Sequence, residues 1–182
     1  MRKKSYKIAL GGIVSSLSLV VMLLAAVIPG LEYAIPAMAG MLLMIIVIEI
    51  NVRWAFLSYA AVALLTFFIV PNKESGLLYI TFMGYYPILK SVFETKIKQK
   101  AVQWAAKLVL FNIALVVYYK LLTYLVSDPE IMESFHDYGK YSLYILAVLA
   151  NVVFVIYDIA LTNLVTAYIK WFRRKFIKHI DK

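Results

Sequence analysis

The 182-residue chain contains no cysteine, so it has no disulfide framework, no thiol nucleophile and no thiolate metal ligand. Charged residues are also scarce, at 16%, whereas hydrophobic residues make up 64% and the mean hydropathy is +0.84. Soluble globular domains are typically about half apolar and about a quarter charged. The composition therefore excludes a soluble globular domain, a disordered chain and a disulfide-stapled secreted domain, and it indicates a membrane protein.

Motifs that carry chemistry are missing from the sequence. The histidines, His136 and His179, lie in different predicted segments, and there is no Walker-type phosphate loop, Gly-x-Ser-x-Gly elbow or His-Glu-x-x-His motif. We therefore expect a protein that is not an enzyme and holds no cofactor or metal ion. The net charge of +9 does not indicate nucleic-acid binding, because the basic residues lie at the ends of apolar runs.

Long apolar runs predict an all-α, polytopic membrane protein that forms a single integral membrane domain over 1–182. A helix needs about 20 apolar residues to cross the hydrocarbon core. The six predicted spans, in one bundle, are about 8–28, 35–50, 54–70, 77–93, 104–126 and 141–169. The fourth is the weakest, because Gly84 and Pro87 interrupt it, and five spans remain if that segment is re-entrant.

Basic residues fall mainly on one side of the predicted spans. Sixteen of the 19 lysines and arginines lie on the side that includes the N-terminus, the loop 94–100 and the tail 171–182. Cytoplasmic loops carry an excess of Lys and Arg, so both termini are predicted to be cytoplasmic, in what we expect to be a bacterial cytoplasmic membrane. In the basic tail, aromatic residues alternate with Lys and Arg, which favours contact with anionic lipid over a cytoplasmic protein partner.

Polar side chains in the last two spans are candidates for binding a small-molecule ligand. Asn112 and Tyr119 are seven residues apart and share one face of the fifth predicted helix. The sixth predicted helix repeats this spacing at Tyr144, Asn151 and Asp158. Ligand contact and a structural hydrogen-bond network are both open interpretations of such faces. The predicted substrate-binding residues are Glu32, Asn112, Tyr119, Lys120, Tyr144 and Asn151.

Ionisable side chains inside a membrane span are costly, which makes them functional candidates. Lys120 either extends to the membrane surface or lies in an outward-facing cavity and holds an anionic ligand. Glu49 and Arg53 are four residues apart and are predicted to form a structural pair if one helix continues through both. Asp158 lies deeper in the sixth span, where a structural network is slightly favoured. The predicted buried polar residues are Glu49, Arg53 and Asp158.

Small residues mark the first predicted span near its basic end. Gly11 with Ser15, and Gly12 with Ser16, form two small-xxx-small pairs, which allow another helix to approach closely. Packing within the chain is the more common use of such pairs. Docking of a separate membrane subunit is the functional alternative.

The architecture and the first span resemble the substrate-binding S components of energy-coupling factor (ECF) transporters. The segment KKSYKIALGGIVSSLSLV is similar to the first S-component helix with its Ala-xxx-Ala-type docking motif, here with Gly and Ser at the matching positions. The resemblance implies that the first helix docks on a transmembrane coupling subunit. It also implies that the loop around 29–34 helps cover a ligand site open to the outside, and that separate ATPase subunits hydrolyse ATP.

The sequence therefore predicts a membrane-embedded substrate-binding subunit of an ECF-type importer for a vitamin or related micronutrient. One alternative is a structural or partner-recruiting membrane protein without transport activity, in which the tail 171–182 binds the partner. A second alternative is a small stand-alone secondary transporter in which Asp158 carries a proton. The lack of an internal repeat weighs against that last option.

Overall fold

In a computed structural model, the chain is described over residues 4–125 and 142–171, with side chains in the second range from 145 onward. These residues contain helices and no strand, which confirms the all-α class. The helices are α1 (Lys4–Leu24), α2 (Ala34–Glu49), α3 (Val52–Ile69), α4 (Lys73–Leu78), α5 (Tyr86–Lys96), α6 (Lys100–Leu125) and α7 (Ser142–Ala167). They fall into two compact units, Met1–Ser142 and Leu143–Lys182, which are described separately.

Four of the described helical stretches are long and apolar enough to cross a membrane. They are α1, α3, α6 and Ile145–Trp171, which contains most of α7 and a terminal π turn. The helix α2 is also apolar but has only 16 residues. These lengths are compatible with a multi-pass membrane protein. The count of six spans and the cytoplasmic placement of both termini stay predictions.

The chain turns sharply between α2 and α3. α2 ends at Glu49, and Asn51 begins α3 by accepting a hydrogen bond from the backbone N–H of Trp54 at 2.9 Å. The predicted pairing of Glu49 with Arg53 requires a helix that continues through both residues, and the turn at Asn51 removes that helix. Glu49 is buried, whereas Arg53, which was predicted to be buried, is exposed.

The fourth predicted span is a broken helix. Asn72 caps the short helix α4, which gives way to a π turn at Tyr79–Met83. The N–H of Gly84 donates to the carbonyl of Tyr79 at 2.8 Å, the i→i+5 bond of a π turn. Pro87 lies in the first turn of α5, where its missing N–H costs no helical hydrogen bond. The interruption predicted at Gly84 and Pro87 is therefore present.

The core of the first unit is formed where α1, α2 and α3 pack around this broken segment. One apolar cluster contains Met22, Ala25, Ile35, Ala39, Val62, Val70 and Tyr79, and a second contains Val14, Leu43, Ile46, Ala55 and Ile88. α2 approaches the π turn very closely at Gly40. A Cβ added to Gly40 would lie 2.0 Å from the carbonyl oxygen of Met83, so this contact between backbones requires glycine.

Candidate functional site

A carboxylate at the start of α4 receives hydrogen bonds from a loop and from α6. The Tyr33 hydroxyl donates to Oε1 of Glu74 at 2.6 Å, and the Tyr118 hydroxyl donates to the same oxygen at 3.4 Å. Beside them, Oγ of Ser75 donates to the backbone carbonyl of Glu32 at 2.9 Å. We call these five residues the Tyr33–Glu74 cluster. It joins three separate parts of the chain at one place.

A glycine turn brings the loop 25–33 to this cluster. Gly30 has a φ of +84°, in the left-handed region that glycine adopts without strain. Its N–H donates to Oε1 of Glu32 at 3.1 Å, so the Glu32 side chain folds back on its own loop. The next residue, Tyr33, then reaches across to Glu74. Glu32 therefore contributes its backbone carbonyl to the cluster, while one of its carboxylate oxygens holds the turn.

The tyrosine donors beside Glu74 carry no charge at neutral pH. Partial burial, followed by the hydrogen bond to Glu74 and the charges of Glu74 and Glu32, raises the pKa of Tyr33 above its usual range. Both tyrosine hydroxyls donate to Oε1, and among the described residues no hydrogen bond reaches Oε2 of Glu74. Oε2 of Glu74 therefore remains as an acceptor oxygen for another donor.

Lys73, the neighbour of Glu74 in the sequence, does not neutralise this carboxylate. Its ammonium donates to the backbone carbonyls of Phe67 and Val70 at 3.1 and 3.3 Å, over the C-terminal end of α3. Cations at that end of a helix are favoured by its dipole. Lys73 therefore caps the C-terminal end of α3, whereas Glu74 contacts the loop 25–33 and α6.

α6 carries three of the predicted ligand residues, and the structure places none of them in the Tyr33–Glu74 cluster. Asn112 is exposed, and its Nδ2 donates to the carbonyl of Leu108 at 2.8 Å. Lys120 is exposed and Tyr119 is partly buried. The α6 residue that reaches Glu74 is Tyr118. The sequence interpretation missed both Tyr118 and Glu74, although the many tyrosines at these helix ends were a signal.

α7 carries the predicted polar residues Tyr144, Asn151 and Asp158 and is continuous, so Asn151 and Asp158 share one of its faces. Asn151 is partly buried, and its Nδ2 donates to the carbonyl of Ala147 at 2.8 Å. Asp158 is buried, and its backbone carbonyl accepts from Oγ1 of Thr162 at 3.1 Å. The Tyr144 side chain and the tail 172–182 lie outside the described residues.

The structure separates the two small-residue pairs of α1. Gly11 is buried, and a Cβ there would lie 3.7 Å from Oγ of Ser58 on α3, whereas a Cβ on Gly12 would meet nothing within 4 Å. Ser15 is partly buried and Ser16 is exposed. Gly11 therefore packs within the chain. Gly12 and Ser16 lie on the uncovered side of α1, where a second protein could approach.

A second charged group lies toward the other end of α6. Lys90 and Lys107 donate to Oε1 of Glu94 at 2.6 and 2.7 Å; the lysine side chains are 1% and 3% exposed and Glu94 is 39% exposed. The ammonium of Lys107 lies 5.2 Å from the ring centre of Trp104, within cation–π range. We call these four residues the lysine cluster. Along α6, Lys107 precedes Tyr118 by about 16 Å of helix rise.

Comparison with known proteins adds no relative: no family model, curated protein or solved structure matches the chain. In the described ranges, no group of three or more His, Asp or Glu side chains could hold a metal ion. The chemistry of the site is therefore that of Glu74, its two tyrosine donors and the surrounding loop. Such a group can accept hydrogen bonds and attract positive charge.

Proposed function

We propose that this protein is the membrane-embedded substrate-binding subunit of an ECF-type importer for a small molecule such as a vitamin. It would act by binding its substrate, and other subunits would supply the energy. The observation that carries the proposal is the Tyr33–Glu74 cluster. A loop, α4 and α6 converge there on a carboxylate that is held by neutral donors. A ligand could use the second carboxylate oxygen without displacing either tyrosine.

The distribution of basic residues supports an outward-facing position for this cluster. Lys4 and Lys7 lie at the start of α1, and the loop between α5 and α6 is also basic. The Tyr33–Glu74 cluster lies at the other ends of these helices. Because basic ends stay in the cytosol, we expect the cluster and the loop 25–33 to face outside.

The chemistry of the cluster favours a ligand that carries hydrogen-bond donors or a positive charge. Glu74 offers a carboxylate oxygen as an acceptor, and the faces of Tyr33 and Tyr118 suit a planar ring or a cation. Lys120 would instead suit a carboxylate or phosphate. Substitution of Glu74 and of Lys120 therefore separates the two kinds of ligand.

The surface of α1 supports docking on a coupling subunit. Exposed Gly12 and Ser16 continue a line of small exposed residues that includes Ser5 and Ala9. Small residues allow the backbones of two membrane helices to approach closely. ATP hydrolysis would belong to other subunits, in keeping with the missing phosphate loop.

Mass spectrometry of small molecules retained by the purified protein tests ligand binding. Glu74→Gln keeps the size of the side chain and removes its charge. We expect it to lower retention at least tenfold, because a hydrogen bond to a charged group contributes roughly 1.5–3 kcal/mol. Lys120→Gln removes an exposed charge from α6 and should leave retention unchanged. Loss in Lys120→Gln alone would contradict a role for Glu74 and indicate an anionic ligand.

Co-purification with coupling and ATPase subunits tests the importer assignment separately. Gly12→Leu and Ser16→Leu should abolish association and uptake while ligand retention persists. Ile13→Leu, at an exposed neighbouring position, is the matched control and should have no effect. Association that survives Gly12→Leu, or substrate uptake by this chain alone in liposomes, would contradict the proposal.

A further inference from the structure

A cleft of about 330 Å³ lies beside α4, on the side where Lys73 rests on α3. Phe67 and Phe68 of α3, Leu77 of α4, Ile80 of the π turn and Leu125 at the end of α6 line it. Lys73 also lines the cleft and is exposed. Small-molecule sites in proteins occupy roughly 300–1,000 Å³, so the cleft can hold one flexible chain.

The walls of the cleft continue the exposed apolar surface of α3. Phe67 and Phe68 are 46% and 71% exposed, and Leu64, one turn before Phe68, is 62% exposed. α3 is one of the helices that is long and apolar enough to cross a membrane. In a membrane protein this surface faces lipid, so the acyl chains of lipids are the molecules next to the opening.

Lys73 adds a fixed positive charge to this apolar cleft. Two of its three N–H donors are used by the carbonyls of Phe67 and Val70, at 3.1 and 3.3 Å. The third donor has no partner among the described residues. Because Lys73 follows the end of a candidate span, we expect its ammonium to lie at the depth of lipid headgroups. The apolar cleft suits the acyl chain of an anionic phospholipid, and the cation at its end suits the phosphate of the headgroup.

We propose that this cleft binds one phospholipid with an anionic headgroup, with an acyl chain between α3 and α4 and the phosphate against Lys73. The site is independent of the proposed transport function and depends only on insertion in a membrane. Lys73 and Glu74 are adjacent in the first turn of α4. A bound lipid would therefore hold the helix turn that presents Glu74 to Tyr33.

The absence of cysteine allows a site-specific test. A bimane label on Phe68→Cys would report on the cleft, and a label on Leu64→Cys would report on the neighbouring lipid-facing surface. The full chain would be placed in vesicles that contain brominated phosphatidylglycerol or brominated phosphatidylcholine. At position 68 we expect a preference for the anionic lipid of roughly fivefold, the value for one lysine near a membrane surface. At position 64 we expect no preference.

Substitutions identify the side chains that cause the preference for the anionic lipid. In the Phe68→Cys background, Lys73→Gln should remove the preference and Lys73→Arg should keep it, while Lys96→Gln, which removes an exposed charge from α5, serves as the control and should have no effect. Ile80→Trp should fill the cleft and lower quenching by both lipids. Thermal unfolding of each variant checks that the fold is retained.

Three results would overturn the lipid site. These are equal quenching by the two lipids at position 68, a preference that survives Lys73→Gln, and quenching at position 64 with none at position 68. The last result would mean that another part of this chain, such as 126–141, or another protein covers the cleft.

Discussion

Glu74 and Glu94 lie in the same unit and are stabilised in opposite ways. Glu94 accepts hydrogen bonds from two lysines that are almost fully buried, so positive charge surrounds it. Glu74 accepts from two tyrosines that carry no charge. One type of side chain therefore serves as a structural anchor in the lysine cluster and as an open acceptor in the Tyr33–Glu74 cluster.

The difference follows from the cost of burying charge. A buried lysine without a partner is strongly unfavourable, so loss of the contacts that join α5 and α6 in the lysine cluster would be costly. The tyrosine hydroxyls of Tyr33 and Tyr118 can exchange Glu74 for water or a ligand at much lower cost. We infer that the lysine cluster stabilises the bundle, whereas the Tyr33–Glu74 cluster is able to change partners.

The largest loss of stability is expected from a substitution that disturbs the π turn, because this turn lies between Glu74 on α4 and the α5 residues of the lysine cluster. In Gly40→Ala, the new Cβ would lie 2.0 Å from the Met83 carbonyl, which is backbone and can move only with the π turn. We expect a loss of about 3 kcal/mol or more in the free energy of unfolding. Thermal unfolding in detergent measures it, and ligand retention should fall as well.

The control for this substitution is Gly12→Ala, because a Cβ on Gly12 meets nothing within 4 Å. Alanine is a better helix former than glycine, so this variant should be as stable as the parent or slightly more stable. A Gly40→Ala protein with the stability of the parent would contradict the close contact between α2 and the π turn.

The next largest effect is expected in the lysine cluster. Glu94→Gln leaves two buried lysines without this carboxylate, and we expect a loss of about 2 kcal/mol, reduced from the value for a fully buried pair because Glu94 is 39% exposed. Glu74→Gln should cost less than about 1 kcal/mol. Lys96→Gln, an exposed charge on α5, is the control in the same unfolding measurement. A greater loss in Glu74→Gln than in Glu94→Gln would reverse the comparison.

The apolar runs predicted the helices better than they predicted the helix ends. α1 was expected over 8–28 but spans Lys4–Leu24, because its first polar residues continue the helix and the chain turns before Pro29. The corner between α2 and α3 falls in the gap between the spans predicted at 35–50 and 54–70, and Asn51 after an apolar run is a typical N-cap. The break at Gly84 was visible because glycine and proline act locally.

The candidate site was harder to predict than the helices. Spacing by seven places residues on one face of one helix, but it does not show which helices meet that face. Tyr118 and Glu74 are 44 positions apart, so only the packing of α4 against α6 brings them together. Lys90 and Glu94 have the i,i+4 spacing of a helical ion pair, which is readable from the sequence, but the pair was not predicted.

The smallest expected effect concerns the titration of Tyr33, which would sharpen the description of the Tyr33–Glu74 cluster. Burial and the Glu74 carboxylate raise the pKa of Tyr33, so its contact stabilises the loop below about pH 10 and is lost as the pH rises through the raised pKa. The difference in phenolate absorbance between the parent and Tyr33→Phe should titrate above about pH 10. In a Glu74→Gln background the same difference should titrate at lower pH. An unchanged midpoint in that background would show that Tyr33 does not donate to Glu74 in solution. Glu74 would then lack the neutral tyrosine donor that distinguishes it from Glu94 in the lysine cluster.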